Sequence, residues 1–170
     1  EQFAQSFAAG KNALREQPPI EATFNARLDK QTGIILAGSA GKKVKSTATL
    51  LARAGIASGL QATQKDDYPI TVMTGHSVSE VILSPERIDY TGIDDPDFLI
   101  VLSEIGLNHV AARFAELPEH CVVYAEESPE LPEAPAKVRR LPFEQTAKRV
   151  NRLGGGVIAV ATLLGDTGIF

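Results

Sequence analysis

The chain has 170 residues, of which 44% are hydrophobic and 22% are charged. These values are close to those of ordinary globular proteins and suffice for one domain with a buried core. The formal net charge of −4 provides no overall field that favours nucleic acid, which argues against a nucleic-acid-binding protein.

Neither a secretory signal nor a membrane-spanning segment is visible in the sequence. The longest apolar run, 154–164, is too short to cross a bilayer, so we expect a cytoplasmic protein with no membrane partner. The single cysteine, Cys121, excludes an internal disulfide and cannot by itself hold an iron–sulfur cluster or a structural zinc ion. Because Cys121 begins the apolar run Cys-Val-Val-Tyr, we expect a buried thiol.

Residues 1–31 differ from the rest of the chain and predict an N-terminal helical extension ahead of a domain over 32–170. Phe3, Phe7 and Leu14 favour an amphipathic helix, and Pro18 with Pro19 would end it. Two interpretations remain open: the extension docks on a partner, or it packs on its own domain.

A strand, a glycine turn and a helix follow in order. Ile34–Ala37 form an apolar run typical of a buried parallel strand, and Val44 begins a helical pattern of apolar residues. The turn Gly38-Ser-Ala-Gly41 between them fits neither the P-loop nor the dinucleotide-binding fingerprint. It does place unpaired backbone N–H groups and three lysines at a helix start, which favours an anion. The candidate phosphate-binding residues are Gly38, Ser39, Gly41, Lys42, Lys43 and Lys45.

The alternative for the same stretch is a solvated basic helix end with a tight turn. Lysines at a helix N-terminus oppose the helix dipole by a few tenths of a kcal/mol each, which favours an anionic ligand or partner over a purely structural turn.

The remaining patterns predict a three-layer α/β domain with a mixed, mostly parallel sheet and an inserted antiparallel hairpin. Strands are expected at 60–64, 98–102, 121–124 and 138–141, hairpin strands at 68–73 and 77–84, and helices at 106–117, from 142 and at 154–165.

The other titratable residues predict no catalytic group. His76 beside Ser77 lacks a third group in the arrangement that a hydrolase triad needs, and consecutive strand residues point apart. No two histidines stand at metal-ligand spacing, so we expect no metal site. Glu126 and Glu127 lead into an acidic, proline-rich segment and are expected in a solvated loop.

The order of these pieces resembles the gamma subunit, or gamma domain, of the 2-oxoacid:ferredoxin oxidoreductases over residues 33–170. The resemblance lies in the glycine turn, the hairpin Tyr-Pro-Ile-Thr-Val-Met-Thr-Gly-His-Ser-Val-Ser-Glu, the strand at 98–102 and the final Gly-Gly-Val-Ile-Ala-Val-Ala. The family turn usually reads G-x-G-G-Q-G, where this chain has Ala40, Lys42 and Lys43 in place of Gly, Gln and Gly.

The resemblance implies a non-catalytic subunit of an enzyme that converts a 2-oxoacid to an acyl-CoA and passes electrons to ferredoxin. Thiamine diphosphate and the iron–sulfur clusters are then expected on other subunits: the thiamine-binding alpha and beta subunits and a ferredoxin-type subunit, or ferredoxin itself. The gamma part would support assembly of the hetero-oligomer and admit coenzyme A (CoA). The alternative is a stand-alone α/β module that binds a phosphate-bearing ligand.

Overall fold

The computed structural model describes residues 21–69, 74–151 and 153–170, and within them six strands form one mixed sheet in the order β2–β3–β1–β4–β5–β6. Strand β1 pairs in parallel with β4, β4 with β5, and β5 with β6, whereas β3 runs antiparallel to both β1 and β2. The strands are β1 Thr32–Ser39, β2 Gln61–Asp67, β3 His76–Ser84, β4 Phe98–Val101, β5 Val122–Glu126 and β6 Lys137–Leu141.

Helices cover both faces of this sheet, as expected for a parallel core whose strands are apolar on both sides. Ile34 and Leu36 of β1 pack in one cluster, with helices α1 and α4, and Ile35 and Ala37 pack in a second cluster, with helix α2. The predicted three-layer α/β fold is confirmed. The helices are α1 Val44–Ala57, α2 Glu104–Val110, α3 Phe143–Lys148 and α4 Gly155–Thr167, with a 3₁₀ turn at Ala111–Glu116 directly after α2.

The antiparallel hairpin is present, but its first strand lies earlier in the chain than predicted. Strand β2 pairs with β3 from Gln61 opposite Ser84 to Asp67 opposite Val78. Residues 68 and 69 are outside any strand, and 70–73 lie outside the described residues. The short strand predicted at 60–64 is confirmed as β2, and it is this polar, half-exposed edge strand that pairs with β3.

The described part of the predicted N-terminal extension, 21–31, contains no helix and packs on its own domain. The N–H of Thr23 donates to the carbonyl of Ala57 at 2.7 Å, and that of Arg27 to Ile169 at 2.9 Å. Leu28 lies against the core cluster that contains α1. The predicted helix over Phe3–Leu14 falls outside the described residues, so its existence and its docking stay predictions.

Helix α2 starts earlier than predicted. It begins at Glu104 because Ser103 is its N-cap and accepts a hydrogen bond from the N–H of Gly106 at 3.3 Å. Helix α4 is buried on one side only: Ala159 and Leu163 are fully buried, whereas Val157 is exposed.

The expected buried thiol is confirmed. Cys121 has no exposed surface, and burial, with the negative charge of Asp97 adding to it, raises the pKa of the thiol to about 12. Such a thiol stays protonated at neutral pH and is a poor nucleophile or metal ligand. Among the helices of the described residues, none has both the length and the apolar content that a membrane crossing requires.

Glycine at position 106 is required by the contact between α2 and β1. A Cβ built there would lie 2.3 Å from the backbone nitrogen of Gly38. We expect Gly106→Ala to destabilise the domain by about 3 kcal/mol, because the backbones must move apart. A matched control is Gly165→Ala in α4, where no atom lies within 4 Å of the added methyl and the change stabilises by up to about 1 kcal/mol. Urea unfolding of both variants measures this, and equal effects would contradict the contact.

Candidate functional site

The glycine turn lies where the topology of the sheet changes direction. The strand β1 leads through α1 to β2 on one side, whereas its neighbour β4 leads through α2 to β5 on the other. Since α1 and α2 pack on opposite faces, a crevice is expected between the carboxyl ends of β1 and β4. In open α/β sheets, ligands bind at such a switch point.

The backbone of the turn is tightly constrained. Gly38 is buried, and a Cβ on it would lie 2.8 Å from Cγ2 of Val44. Gly41 has a φ of 85°, and Lys43 has the left-handed values φ 57° and ψ 28°. A non-glycine residue in this region carries a steric cost of about 1–2 kcal/mol, so Lys43 holds a strained backbone directly before α1.

The N-terminus of α1 has no neutralising group of its own. Lys43 stands at the N-cap and makes no side-chain capping hydrogen bond, and the first turn contains no acidic residue. The leading N–H groups of the helix and the positive end of its dipole are therefore left for another acceptor.

The three candidate lysines have different surroundings. Lys42 forms an ion pair with Glu144, and Lys45 lies 3.4 Å from a carboxylate oxygen of Asp66 and 5.2 Å from the centre of the Tyr68 ring. The hydrogen bond to Asp66 raises the pKa of Lys45. Lys43 is exposed. Within the described residues, it forms no ion pair, because no carboxylate oxygen lies within 4.0 Å of its amino group. Of the three lysines, Lys43 is therefore the one that an external anion can bind without displacing a carboxylate of the chain.

The crevice beside the turn contains the carboxyl groups of Glu126 and Glu144, which the sequence analysis did not place there. Glu126 ends β5 and is buried, and its carboxylate accepts a hydrogen bond from the N–H of Glu144 at 2.9 Å, at the start of α3. The expectation of a solvated Glu126 was wrong, because this hydrogen bond draws the side chain inward; Glu127 is exposed as expected. Burial raises the pKa of Glu126, and the charge of Glu144 adds to the rise. The crevice is lined by Lys42, Leu102, Glu126, Phe143, Glu144, Leu153, Gly155 and Gly156.

A third group of side chains lies at the same edge of the sheet, on the far side of β1. Ser39 pairs with His76 across β1 and β3. His76 stacks on His109, with 3.5 Å between the ring centres, and both rings approach the carboxylate of Asp67. Sequence spacing could not reveal this group, because β2, β3 and α2 each supply one member.

A separate polar cleft of about 600 Å³ lies at the opposite edge, lined by Gly33 and Asp97 at the amino ends of β1 and β4. Its buried Glu80 accepts hydrogen bonds from the N–H of Ile93 at 3.1 Å and from Arg113 at 3.1 Å. These internal partners satisfy the carboxylate of Glu80, so the cleft has fewer free polar groups for binding a ligand than the switch point has.

The family model described as pyruvate ferredoxin/flavodoxin oxidoreductase matches residues 33–170. No curated protein matches the chain significantly in sequence.

Three solved structures share the fold. The gamma subunit of a keto/oxoacid ferredoxin oxidoreductase from Geobacter sulfurreducens is 23% identical with a TM-score of 0.66, over 81% of this chain and 78% of that one. Subunit PORC of the Thermotoga maritima pyruvate oxidoreductase is 18% identical with a TM-score of 0.69, over 83% and 79%. The 2-oxoglutarate:ferredoxin oxidoreductase of Magnetococcus marinus, with 2-oxoglutarate, coenzyme A and succinyl-CoA bound, is 20% identical with a TM-score of 0.68, over 81% of this chain and 24% of that one.

Lys43 provides a test of the strained turn. We expect Lys43→Gly to stabilise the domain by about 0.5–1 kcal/mol, because the left-handed backbone loses its steric cost while glycine adds flexibility to the unfolded chain. Lys43→Ala is the control, since it removes the charge and keeps the Cβ. Equal unfolding free energies for the glycine and alanine variants would contradict the strain.

Glu126 provides a test of the crevice electrostatics. A carboxyl group whose pKa is raised by folding makes the native state less stable as the pH rises above its ordinary value, here 4.5, because the native state holds the proton more tightly than the unfolded chain does. We therefore expect Glu126→Gln to gain stability relative to wild type as the pH rises from 4.5 through the raised pKa of Glu126. Urea unfolding across this range measures it, with Glu127→Gln as control; a difference independent of pH would contradict the assignment.

Proposed function

Since the chain belongs to the pyruvate ferredoxin/flavodoxin oxidoreductase family, we propose that it is the gamma-type part of a 2-oxoacid:ferredoxin oxidoreductase. In this role it supports assembly of the complex and access of CoA during oxidative decarboxylation of a 2-oxoacid. The observation that carries the proposal is the extent of the family match, which covers every strand and helix described above apart from Thr32, the first residue of β1.

The residues of the chain fit a division of labour among subunits. Its one cysteine, Cys121, has no exposed surface, so iron–sulfur clusters, which need several thiolates, belong on a partner. Thiamine diphosphate likewise belongs to the alpha and beta subunits in this proposal. Electrons then leave through a ferredoxin-type subunit or ferredoxin, not through this chain.

We place the CoA contact at the outer side of the turn Gly38–Lys45. CoA carries several phosphate charges, and the uncapped start of α1 beside Lys43 offers N–H donors and a cation. The crevice contains the carboxyl groups of Glu126 and Glu144, and its Lys42 is already paired with Glu144, which disfavours a phosphate there. The CoA bound in the Magnetococcus marinus enzyme supports the choice of this ligand over other phosphate compounds.

Exposed apolar side chains between α3 and α4 fit a subunit interface. Val150, two residues after the end of α3, is 89% exposed, and Leu153 and Val157, the latter near the start of α4, are also exposed. Apolar groups concentrated in one surface segment are typical of a surface that a partner covers. Leu153 also lines the crevice, so a partner bound there would reach the switch point.

The proposal is tested first by copurification from the cells that produce the protein. We expect native affinity purification followed by mass spectrometry to recover thiamine-binding subunits in fixed stoichiometry. The recovered complex should reduce ferredoxin only when both a 2-oxoacid and CoA are present, whereas the isolated chain should be inactive. Recovery of the chain alone, or turnover by the isolated chain, would contradict the proposal.

The CoA contact is tested by Lys43→Ala in the assembled complex. We expect KM for CoA to rise about fivefold, since an exposed charge pair contributes about 1 kcal/mol, with KM for the 2-oxoacid unchanged. Lys148→Ala, which removes an exposed lysine from the last turn of α3, is the control. An unchanged KM for CoA in Lys43→Ala would remove the contact from the proposal.

The alternative, a stand-alone module for a phosphate-bearing ligand, is favoured by the same uncapped start of α1. It differs in one measurable respect, because it requires the isolated chain to bind CoA or a nucleotide without partners. Isothermal titration calorimetry of the isolated chain separates the two: tight binding without any copurifying subunit supports the alternative.

A further inference from the structure

The cluster formed by Asp67, His76 and His109 brings three metal-binding side chains together from three elements. Asp67 ends β2, His76 begins β3 and His109 lies in the last turn of α2. The strands β2 and β3 pair with each other, and α2 packs against the sheet through the second core cluster. The fold itself therefore holds these three residues side by side.

The donor atoms of the three side chains converge. One atom from each residue lies within 4.8 Å of the other two. The Oδ2 atom of Asp67 is 2.9 Å from Nε2 of His109 and 3.4 Å from Nε2 of His76. For Zn–N bonds of about 2.0–2.1 Å, tetrahedral geometry separates neighbouring ligand atoms by about 3.3 Å, so the observed separations are close to those of a bound ion.

The internal hydrogen bonding of the cluster is incomplete. His109 bonds to Asp67, but Nε2 of His76, although buried, has no hydrogen-bond partner within the described residues. A buried ring nitrogen without a partner carries a desolvation cost. A metal ion bound to both rings and to the carboxylate would remove this cost, because it gives every one of the three donor atoms a partner.

We propose that Asp67, His76 and His109 bind one divalent transition-metal ion, with Zn²⁺ as the best match. Two imidazole nitrogens and one carboxylate oxygen suit Zn²⁺, whereas Mg²⁺ and Ca²⁺ prefer oxygen ligands throughout. The stacked rings turn apart on binding, since a metal lies in the plane of each imidazole. His109, with 39% of its side chain exposed, has room to turn.

Three protein ligands leave one position of a tetrahedral ion for water or another small ligand. A cavity of about 270 Å³ adjoins the cluster and is lined by Asp67 and His109. Its lining also includes Glu80, Lys65 and Arg113. The carboxylate of Glu80 lies 3.7 Å from the amino group of Lys65 and 3.1 Å from the guanidinium of Arg113. The fourth position therefore opens to a polar space and not to the core.

The ion would also hold the start of β3 against the glycine turn. The N–H of Ala40 donates to the carbonyl of Gly75 at 2.9 Å, directly before His76. Binding that holds His76 to α2 therefore stabilises the turn from the side opposite the crevice. This inference is independent of CoA and of partner subunits, so its failure leaves the proposed function untouched.

The test uses the tag-free, metal-free full chain and Co²⁺ as a spectroscopic probe. We expect a tetrahedral visible absorption band that saturates at one equivalent of Co²⁺ and disappears when Zn²⁺ is added. Zn²⁺ should also raise the melting temperature. Binding without saturation near one equivalent, or no shift in melting temperature, would overturn the proposal.

Variants identify the ligands. His109→Gln and Asp67→Asn, both at exposed positions, should weaken Co²⁺ binding by more than about tenfold, since even residues behind the ligands change metal affinity by about 10- to 100-fold. His120→Gln is the matched control, because His120 lies apart from the cluster, 3.7 Å from Asp97. Circular dichroism confirms that each variant is folded. Wild-type affinity in His109→Gln, or equal weakening in His120→Gln, would overturn the assignment.

Discussion

The close approach of α2 to the end of β1 is the constraint on which the rest of the structure depends. Gly106 has no room for a Cβ against the backbone of Gly38, so the helix and the strand meet without side chains between them. On the other face, Val44 and Leu102 close over Gly38. This packing fixes where β1 ends, and therefore where the turn, the start of α1 and His109 of α2 stand relative to one another.

Charge at the switch point is largely neutralised within the chain. Glu126 accepts from the start of α3, Glu144 pairs with Lys42, and Asp66 pairs with Lys45. Hydrogen bonds from Gln64 and Ser79 help lower the pKa of Asp66 against the opposing effect of burial. In the part of the chain that the structure describes, Lys43 and the leading N–H groups of α1 have no such partner, and our proposal of an anion site at the turn depends on this combination. The strained backbone of Lys43 thus places a cation where the usual family pattern has a flexible glycine.

Local patterns predicted those parts of the fold whose neighbours are close in sequence. The apolar run Ile34–Ala37 and the helical spacing from Val44 were predicted correctly, and the resemblance to the oxidoreductase family is confirmed by the family match over 33–170. The short strand predicted at 60–64 is present as β2, but its pairing with β3 was not predicted, because the apolar alternation at 68–73 marked that segment as the partner strand of the hairpin. Glu126 and the pair His76 and His109 depend on contacts between distant elements, and no pattern along the chain records these. Apart from Ala62, the side chains of β2 are polar on both faces, so the sequence showed no apolar alternation that would have identified it as the partner of β3.

The central claim is that the turn at the carboxyl end of β1 presents Lys43 to the phosphates of CoA in the assembled enzyme. Its most direct test is amine-reactive labelling of the assembled complex, read by mass spectrometry with and without CoA. The account predicts that CoA slows the labelling of Lys43 while Lys148 reacts at an unchanged rate. Equal labelling of Lys43 in the two conditions, with CoA binding demonstrated in the same sample, would contradict it.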